Sequence, residues 1–262
     1  MLDLDLSGHR AVVTGASLGI GEATVKMLAD HGAAVHFCAR KESAIAALAE
    51  YSPQHSAGSV SGYSADMGNA DSVNGFLEAV SAEGTVDILV NNVGASPSRN
   101  FLYMTDEDWT SLHELNLMSA VRCTRHFLPG MRKNKWGRVI MVSSAAARYP
   151  NAALIDYAAT KSAMVATAKA LSKKYAADNV LFNSVLPGLI HTDMWERAAT
   201  EVAEANNIDK EAVLAGNAKA VPVGRYGRSE EVAAVITFLC SEAASYVNGI
   251  AIDVDGGRGV HV

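Results

Sequence analysis

Short apolar runs alternate along the chain with longer stretches whose apolar residues recur at helical spacing. The runs Arg10–Thr14, Ala34–Ala39, Ser59–Ala65, Ile88–Asn91, Arg138–Val142, Val180–Val185 and Ile250–Val254 read as strands. Gly21–His31, Ser43–Tyr51, Ala70–Glu83, Asp106–Arg132, Tyr157–Ala177 and Glu230–Cys240 read as helices. Strands that are apolar almost throughout, separated by helices, predict one seven-stranded parallel sheet covered on both faces. Right-handed crossovers then make it doubly wound. No Pro-, Gly- or Ser-rich linker interrupts residues 1–262, so a single domain is expected. One stretch departs from the rhythm. Residues 190–220 insert a polar, alanine-rich helical segment between the sixth and seventh strands, where a lid over a ligand site is expected.

Composition adds mainly exclusions. With 49% hydrophobic and 19% charged residues the chain reads as ordinary globular protein. A net charge of -6 without a basic run gives no footprint for nucleic acid or for a membrane surface. Cys38, Cys123 and Cys240 are few, scattered and odd in number, which fits a reducing cytosol and core packing better than a disulfide framework. The N-terminus has no apolar run of signal-peptide type, no stretch is long enough to span a bilayer, and a cytoplasmic protein is expected. The eight histidines show no paired metal-ligand spacing, so no metal is expected.

The first strand runs into ASLGIG and then a helix, with glycines at 15, 19 and 21. Gly15 suits a sharp turn off the strand, Gly19 a close approach to a pyrophosphate, and Gly21 close packing of helix on sheet. The helix start then offers free amides and a positive dipole end to phosphate. At the end of the second strand, where an acid would bind ribose hydroxyls and select NAD, stand Ala39, Arg40 and Lys41. Two cations and no acid suit a 2′-phosphate and favour NADP(H), with NAD(H) as the other possibility.

Residues 157–161 read YAATK. Positions i and i+4 share a helix face, so the Lys161 ammonium is expected beside the Tyr157 ring, lowering a phenol pKa that is ordinarily about 10. Such a tyrosine can exchange a proton with an alcohol or ketone oxygen.

The spacing Gly15-x3-Gly19-x-Gly21, NNVG at 91–94, Asn116, Ser144 and Tyr157-x3-Lys161 together resemble the short-chain dehydrogenase/reductase family. LPG at 186–188, Thr192 and DGG at 255–257 extend the likeness over essentially the whole chain. The resemblance implies a single-domain Rossmann fold and an oxidoreductase that interconverts a secondary alcohol and a ketone with NAD(P). It implies a tetrad: Tyr157 as proton carrier, Lys161 holding the nicotinamide ribose, Ser144 steadying the substrate oxygen, and Asn116 holding a water beside the lysine. Ser143 competes with Ser144 on local sequence alone, and the family spacing to the tyrosine selects Ser144.

It further implies that Gly15, Ser17, Leu18, Gly19, Ile20 and Gly21 contact the phosphates and that Arg40 meets a 2′-phosphate. Asp66 and Met67 would lie at the adenine, Asn92 and Gly94 would wall the groove, and Pro187, Gly188, Ile190 and Thr192 would meet the nicotinamide end. Two positions depart from the family pattern. Leu18 stands where many NADP-using relatives carry Arg or Lys, which leaves Arg40 as the main support for NADP, and Val93 replaces the usual alanine.

Substrate-facing positions are expected at Ser96, Ser144, Ala145, Ala146, Ile155, Tyr157, Leu189, Met194 and Trp195, with Arg148 a candidate carboxylate ligand. Mostly small or apolar, they suit a small uncharged cyclic or aromatic carbonyl or alcohol. A 3-oxoacyl-[acyl-carrier-protein] reductase is the alternative, though the chain offers only scattered Lys and Arg for an acidic carrier. A nucleotide-binding sensor without activity is the alternative of another class, and the intact tetrad speaks against it. His191 is expected at the pocket edge. The resemblance also implies a homotetramer, with a dimer as the fallback: the apolar last strand and helix Glu230–Cys240 would meet their copies at one interface, and helices Asp106–Arg132 and Tyr157–Ala177 at the other.

Overall fold

Valine and isoleucine crowd the short apolar runs, and successive residues of a strand face opposite sides of a sheet. In a computed structural model, which describes residues 3–53 and 57–260, those runs form one parallel seven-stranded sheet. The strands are β1 (Arg10–Thr14), β2 (Ala34–Ala39), β3 (Ser59–Ser64), β4 (Ile88–Asn91), β5 (Gly137–Val142), β6 (Val180–Pro187) and β7 (Ala251–Val254). Their order across the sheet is β3-β2-β1-β4-β5-β6-β7. The chain winds outward from β1 in one direction, then returns to β4 and winds outward in the other. The carboxyl ends of β1 and β4 therefore flank the switch point, where such sheets bind ligands.

The helices are α1 (Gly19–Asp30), α2 (Glu42–Ala49), α3 (Ala70–Ala82), α4 (Asp106–His113), α5 (Ser119–Asn134), α6 (Ile155–Tyr175), α7 (Asp193–Asn206), α8 (Lys210–Lys219) and α9 (Ser229–Cys240). Neighbouring strand residues divide between two cores. Val13, Val90 and Ile140 join Val25, Leu28, Val232, Ile236 and Leu239 of α1 and α9 on one face. Val12, Leu89 and Val139 join Phe76, Leu77, Phe127, Met131 and Met164 of α3, α5 and α6 on the other. Both faces are thus dry, which is why the strands read as continuous apolar runs.

Two departures from the sequence reading bear on the site. The single helix expected over Asp106–Arg132 is α4, a π-helical turn at Glu114–Met118, and α5. A π turn carries an extra residue per turn and is common at functional sites. Here it brings the fully buried Asn116 inward. The helix expected from Tyr157 begins at Ile155, which sets Tyr157 in its first turn. The expected lid, residues 190–220, contains α7 and α8. The side chains of residues 193–195, 197, 198, 201 and 205 lie outside the described set, and with them the expected substrate contacts Met194 and Trp195.

Candidate active site

The β1–α1 turn is built on close backbone approach. Gly15 and Gly19 have φ of 67° and 62°, a region side chains resist. A Cβ at Gly21 would lie 2.5 Å from Gly15 O and 2.9 Å from Ala16 Cα. Asn92 Nδ2 donates to Thr14 O at 3.0 Å and to Gly15 O at 2.9 Å, and Asn92 N–H donates to Thr14 Oγ1 at 3.0 Å. The β4 end thereby fastens the turn from below.

Leu18 caps α1 with no side-chain hydrogen bond, so the first-turn amides of α1 point into the groove without a competing side-chain acceptor. Across the groove, a Cβ at Gly19 would lie 3.1 Å from Thr192 Cγ2, so the β6–α7 turn meets the glycine turn. Ser17 and Ile20 are half-buried along it. Arg40 is exposed past the end of β2, and Ala16 N–H donates to Cys38 O at 3.0 Å, which holds that end against the turn. Asp66 is exposed after β3, fixed by accepting from Gly68 N–H at 2.9 Å, with Met67 buried beside it. These residues fit a dinucleotide. Anion-seeking amides sit at the turn, a groove lies where no Cβ could stand, and an exposed guanidinium flanks the adenosine end.

The four tetrad positions converge at the carboxyl ends of β4 and β5. Lys161 is 3% exposed, donates from Nζ to Val142 O at 3.0 Å, and lies 5.8 Å from the centroid of the Tyr157 ring. A Cβ at Gly94 would be 3.1 Å from that Nζ and 3.4 Å from Asn116 Oδ1, so Gly94 leaves the room in which lysine and asparagine meet. Asn116 Nδ2 donates to Ala95 O at 3.0 Å and Thr160 Oγ1 at 3.1 Å, while its Oδ1 accepts from Ala95 N–H at 2.9 Å. Both amide protons are thus spent on joining the β4 loop to α6, leaving only Oδ1 capacity for the water expected there.

Ser144 follows β5, caps a short 3-10 turn at Ala145–Ala147, and lies close enough to the Tyr157 phenol to influence its ionisation. Its competitor Ser143 is buried and donates to Lys161 O at 2.9 Å, turned away from the phenol.

The electrostatics correct one expectation. Burial pushes the Tyr157 phenol above its ordinary value, and Ser144 only draws it part of the way back. Burial, not the neighbouring Lys161, sets the direction, and the Lys161 Nζ donates to Val142 O. The same burial lowers Lys161 to about 8. Tyrosine and lysine are both pushed toward their neutral forms.

On the substrate side Ser96, Ala146 and Ile155 are half-buried, and Ala145 and Leu189 are buried. Ala146 N–H donates to Ser144 Oγ at 3.1 Å. Leu189 and Ile190 line a cavity of about 160 Å³ with Val221, Val223 and Gly256. That cavity contains none of the tetrad. Ile190 also bridges to Gly227, and Pro187 and Gly188 run alongside Val254 of β7. Arg148 is not available to a substrate carboxylate: it pairs with Asp253 and donates to Ala251 O. His191 pairs with Glu196 at 2.8 Å at the root of α7.

The sequence reading passed over three residues. Thr14 takes the amides of Asn92 and Val93 on one hydroxyl. Arg99 and Asp156 form an ion pair at 2.7 Å next to Tyr157. An acid in a first helical turn reads as a dipole-complementing surface residue, and only burial marks Asp156 as more.

Among the described residues no group of three His, Cys, Asp or Glu side chains is placed to hold a metal, and no helix is long and apolar enough to cross a membrane. The architecture is shared with known proteins along its full length. The chain is 36% identical to the uncharacterized oxidoreductase YvrD of Bacillus subtilis, over 98% of each chain. It is 36% identical to the 3-oxoacyl-[acyl-carrier-protein] reductase FabG of Vibrio cholerae, covering 97% of this chain and 98% of that one. The crystal structure of L-sorbose reductase from Gluconobacter frateurii, complexed with NADPH and L-sorbose, superposes with a TM-score of 0.93 at 33% identity. That match covers 99% of this chain and 100% of the other. Residues 9–203 match the family described as short chain dehydrogenase; the chain belongs to that family and is an NAD(P)-dependent oxidoreductase of its kind.

Proposed function

We propose that the protein is an NADP(H)-linked reductase of small uncharged ketones, cyclic or aromatic, with Tyr157 as the proton carrier. The observation that carries this is the convergence of Ser144 at the end of β5 with Tyr157 and the buried Lys161, whose Nζ lies 5.8 Å from the Tyr157 ring centroid, with burial raising the phenol above its ordinary value. A phenol that is protonated at neutral pH can donate to a carbonyl oxygen. Ser144 Oγ, anchored by Ala146 N–H, steadies the same oxygen as it gains charge. Lys161 and Asn116 fix the wall behind them and would bind the nicotinamide ribose and order solvent. Gly15, Ser17, Leu18, Gly19, Ile20 and Gly21 would cradle the phosphates, with Asp66, Met67, Asn92, Gly94, Pro187, Gly188, Ile190 and Thr192 along the rest of the groove. The nicotinamide ring, when bound, supplies or takes the hydride. Arg40 supports NADP(H) over NAD(H), in keeping with the NADPH of the sorbose reductase structure.

Tyr157→Phe tests the reading. It keeps the ring and removes only the oxygen that moves the proton. Turnover of cyclohexanone with NADPH should fall roughly 10²–10⁴-fold while NADPH binding survives. Retained turnover would overturn the role. The relatives named FabG favour a second reading, reduction of a 3-oxoacyl thioester. Acetoacetyl-pantetheine, tried beside cyclohexanone, separates the two by kcat/KM.

The assembly we infer is a homotetramer, or at least a dimer. β7 is the last strand of the sheet and only half-buried along its length, and Tyr246 and Ile250 are exposed beside it. Of the alanines on α6, Ala158 packs inward, whereas Ala159, Ala166 and Ala170 face out. An open apolar edge and a small-residue helix face suit symmetric partners. A monomer mass by light scattering would refute both forms. The three cysteines are unpaired and buried, in keeping with a cytosolic setting.

A further inference from the structure

One arginine fastens the loop after β4 to the start of α6. Arg99 Nη1 donates to Asp156 Oδ2 at 2.7 Å, and Arg99 N–H donates to Ala153 O at 3.2 Å. Arg99 Nη2 reaches Asp108 Oδ1 at 3.2 Å, and Asp108 itself caps α4 through Thr105. Asp156 is 1% exposed. Its second oxygen, Oδ1, accepts the N–H of Tyr157 at 2.8 Å. Leu154, at the head of α6, has no side-chain cap to offer, so this first-turn donor depends on Asp156. The two carboxylate oxygens thus divide their partners. Oδ2 holds the loop arginine, and Oδ1 holds the backbone of the residue that carries the phenol.

We propose that Arg99 and Asp156 are positioning residues for Tyr157, an ion pair with a buried carboxylate that sets the first turn of α6 so that the phenol meets Ser144 and the substrate oxygen. This rests on the proton-carrying role given to Tyr157 above. The pair gives little as a stability device, because desolvation of the buried Asp156 carboxylate offsets much of its attraction to the half-buried guanidinium. What it does fix is geometry. The guanidinium ties the starts of α4 and α6 together through two acids, and its own loop, between β4 and α4, carries Ser96 and the Ala95 peptide that Asn116 clamps. Loosening the pair frees the backbone beneath the phenol, and small misplacements of a reacting group are costly to rate.

The test compares Arg99→Lys, Arg99→Gln, Asp156→Asn and the double variant Arg99→Gln/Asp156→Asn with wild type and Tyr157→Phe. The readouts are cyclohexanone reduction with NADPH, NADPH affinity by fluorescence titration, and hydrogen exchange at the Tyr157 amide. Arg99→Gln should lower kcat on the order of 10- to 100-fold, while KM and NADPH affinity stay within about threefold. The Tyr157 amide should exchange about tenfold faster or more. Arg99→Lys should recover part of kcat. The double variant should recover more than Arg99→Gln, since it leaves no unpaired buried charge and Asn still accepts from the Tyr157 amide. It also carries the test if Arg99→Gln does not fold. Wild-type kcat and exchange in Arg99→Gln, or a loss confined to KM and melting, would overturn the proposal. Full turnover in Tyr157→Phe would instead overturn the role of Tyr157, while amide exchange still reports whether the pair holds that turn.

Discussion

On the β1–β4 side of the groove, a methyl group added at Gly21 would lie 2.5 Å from a backbone oxygen, and Asn92 stitches two strands together with hydrogen bonds of 3.0 Å and 2.9 Å. On the opposite side, α7 is tied down by exposed charges: Glu196 meets His191 at 2.8 Å and Lys210 at 2.5 Å. The wall is specified by backbone crowding and buried polar groups, and the cover by surface ion pairs. Exposed pairs contribute little and are screened by salt. A wall of the first kind has one geometry, whereas a cover of the second kind can rearrange at small cost. If the groove holds the cofactor as proposed, the division predicts a rigid wall and a more mobile edge.

The largest expected effect lies in the wall, at Lys161. Burial holds its pKa near 8, below the ordinary 10.5. The unfolded chain therefore binds that proton more tightly, and the cost to stability is fully present below pH 8. It shrinks as pH rises from 8 to 10.5 and is gone above. Lys161→Met should abolish turnover. At pH 7 it should be more stable than wild type by at most about 3 kcal/mol, a gap that closes toward pH 10.5. Denaturant titrations at both pH values check it. A Met variant that is less stable by the same amount at every pH would show that Lys161 is structural.

Gly21→Ala comes next. Its Cβ meets backbone rather than a flexible side chain, so the turn itself must shift. Overpacking of this kind costs about 1–3 kcal/mol, and affinity for both NADPH and NADH should fall together, on the order of tens-fold. Affinity kept intact would show the turn to be more pliable than its contacts suggest.

Arg40→Ala acts on one cofactor only. A lost charge-assisted contact should weaken NADPH roughly ten- to a hundred-fold and leave NADH nearly unchanged. Equal losses, or a wild-type preference for NADH, would remove the case for a 2′-phosphate at this position.

The wall was legible in the sequence because backbone crowding dictates residue type. Gly15 and Gly21 are each required by a contact that a side chain would break, and their spacing after the first strand revealed them, while Gly94 was reached through the family resemblance. The central strands were legible for a similar reason, since burial on both faces leaves little choice but Val, Ile and Leu. The π turn at Glu114–Met118 was not legible, because its local pattern is helical and the displacement answers to Ala95 and Thr160, remote in sequence. Nor was the direction of the Tyr157 pKa. Helical spacing places Lys161 nearby, but only the fold shows that its ammonium donates to Val142 O and that burial raises the phenol. Arg148 looked free for the same reason, since its partners Asp253 and Ala251 lie about a hundred residues away.

The smallest effect, and the sharpest test of the contrast between wall and cover, belongs to Glu196. It stands at the root of the cover, and its carboxyl is held below the ordinary range first by Lys210 and then by His191. Both interactions are exposed, so Glu196→Gln should change melting temperature very little and NADPH affinity by no more than about twofold. What should change is local opening. Hydrogen exchange across α7 and α8 should already be faster than in β1 or β4 in wild type, slow on adding NADP(H), and quicken in the variant. Raising the salt concentration should reproduce part of the variant's behaviour in wild type, because it screens the same charges. If α7 and α8 are instead as protected as the central strands without cofactor, and neither salt nor the substitution alters this, the cover is held as rigidly as the wall, and selection among substrates must rest on a preformed pocket.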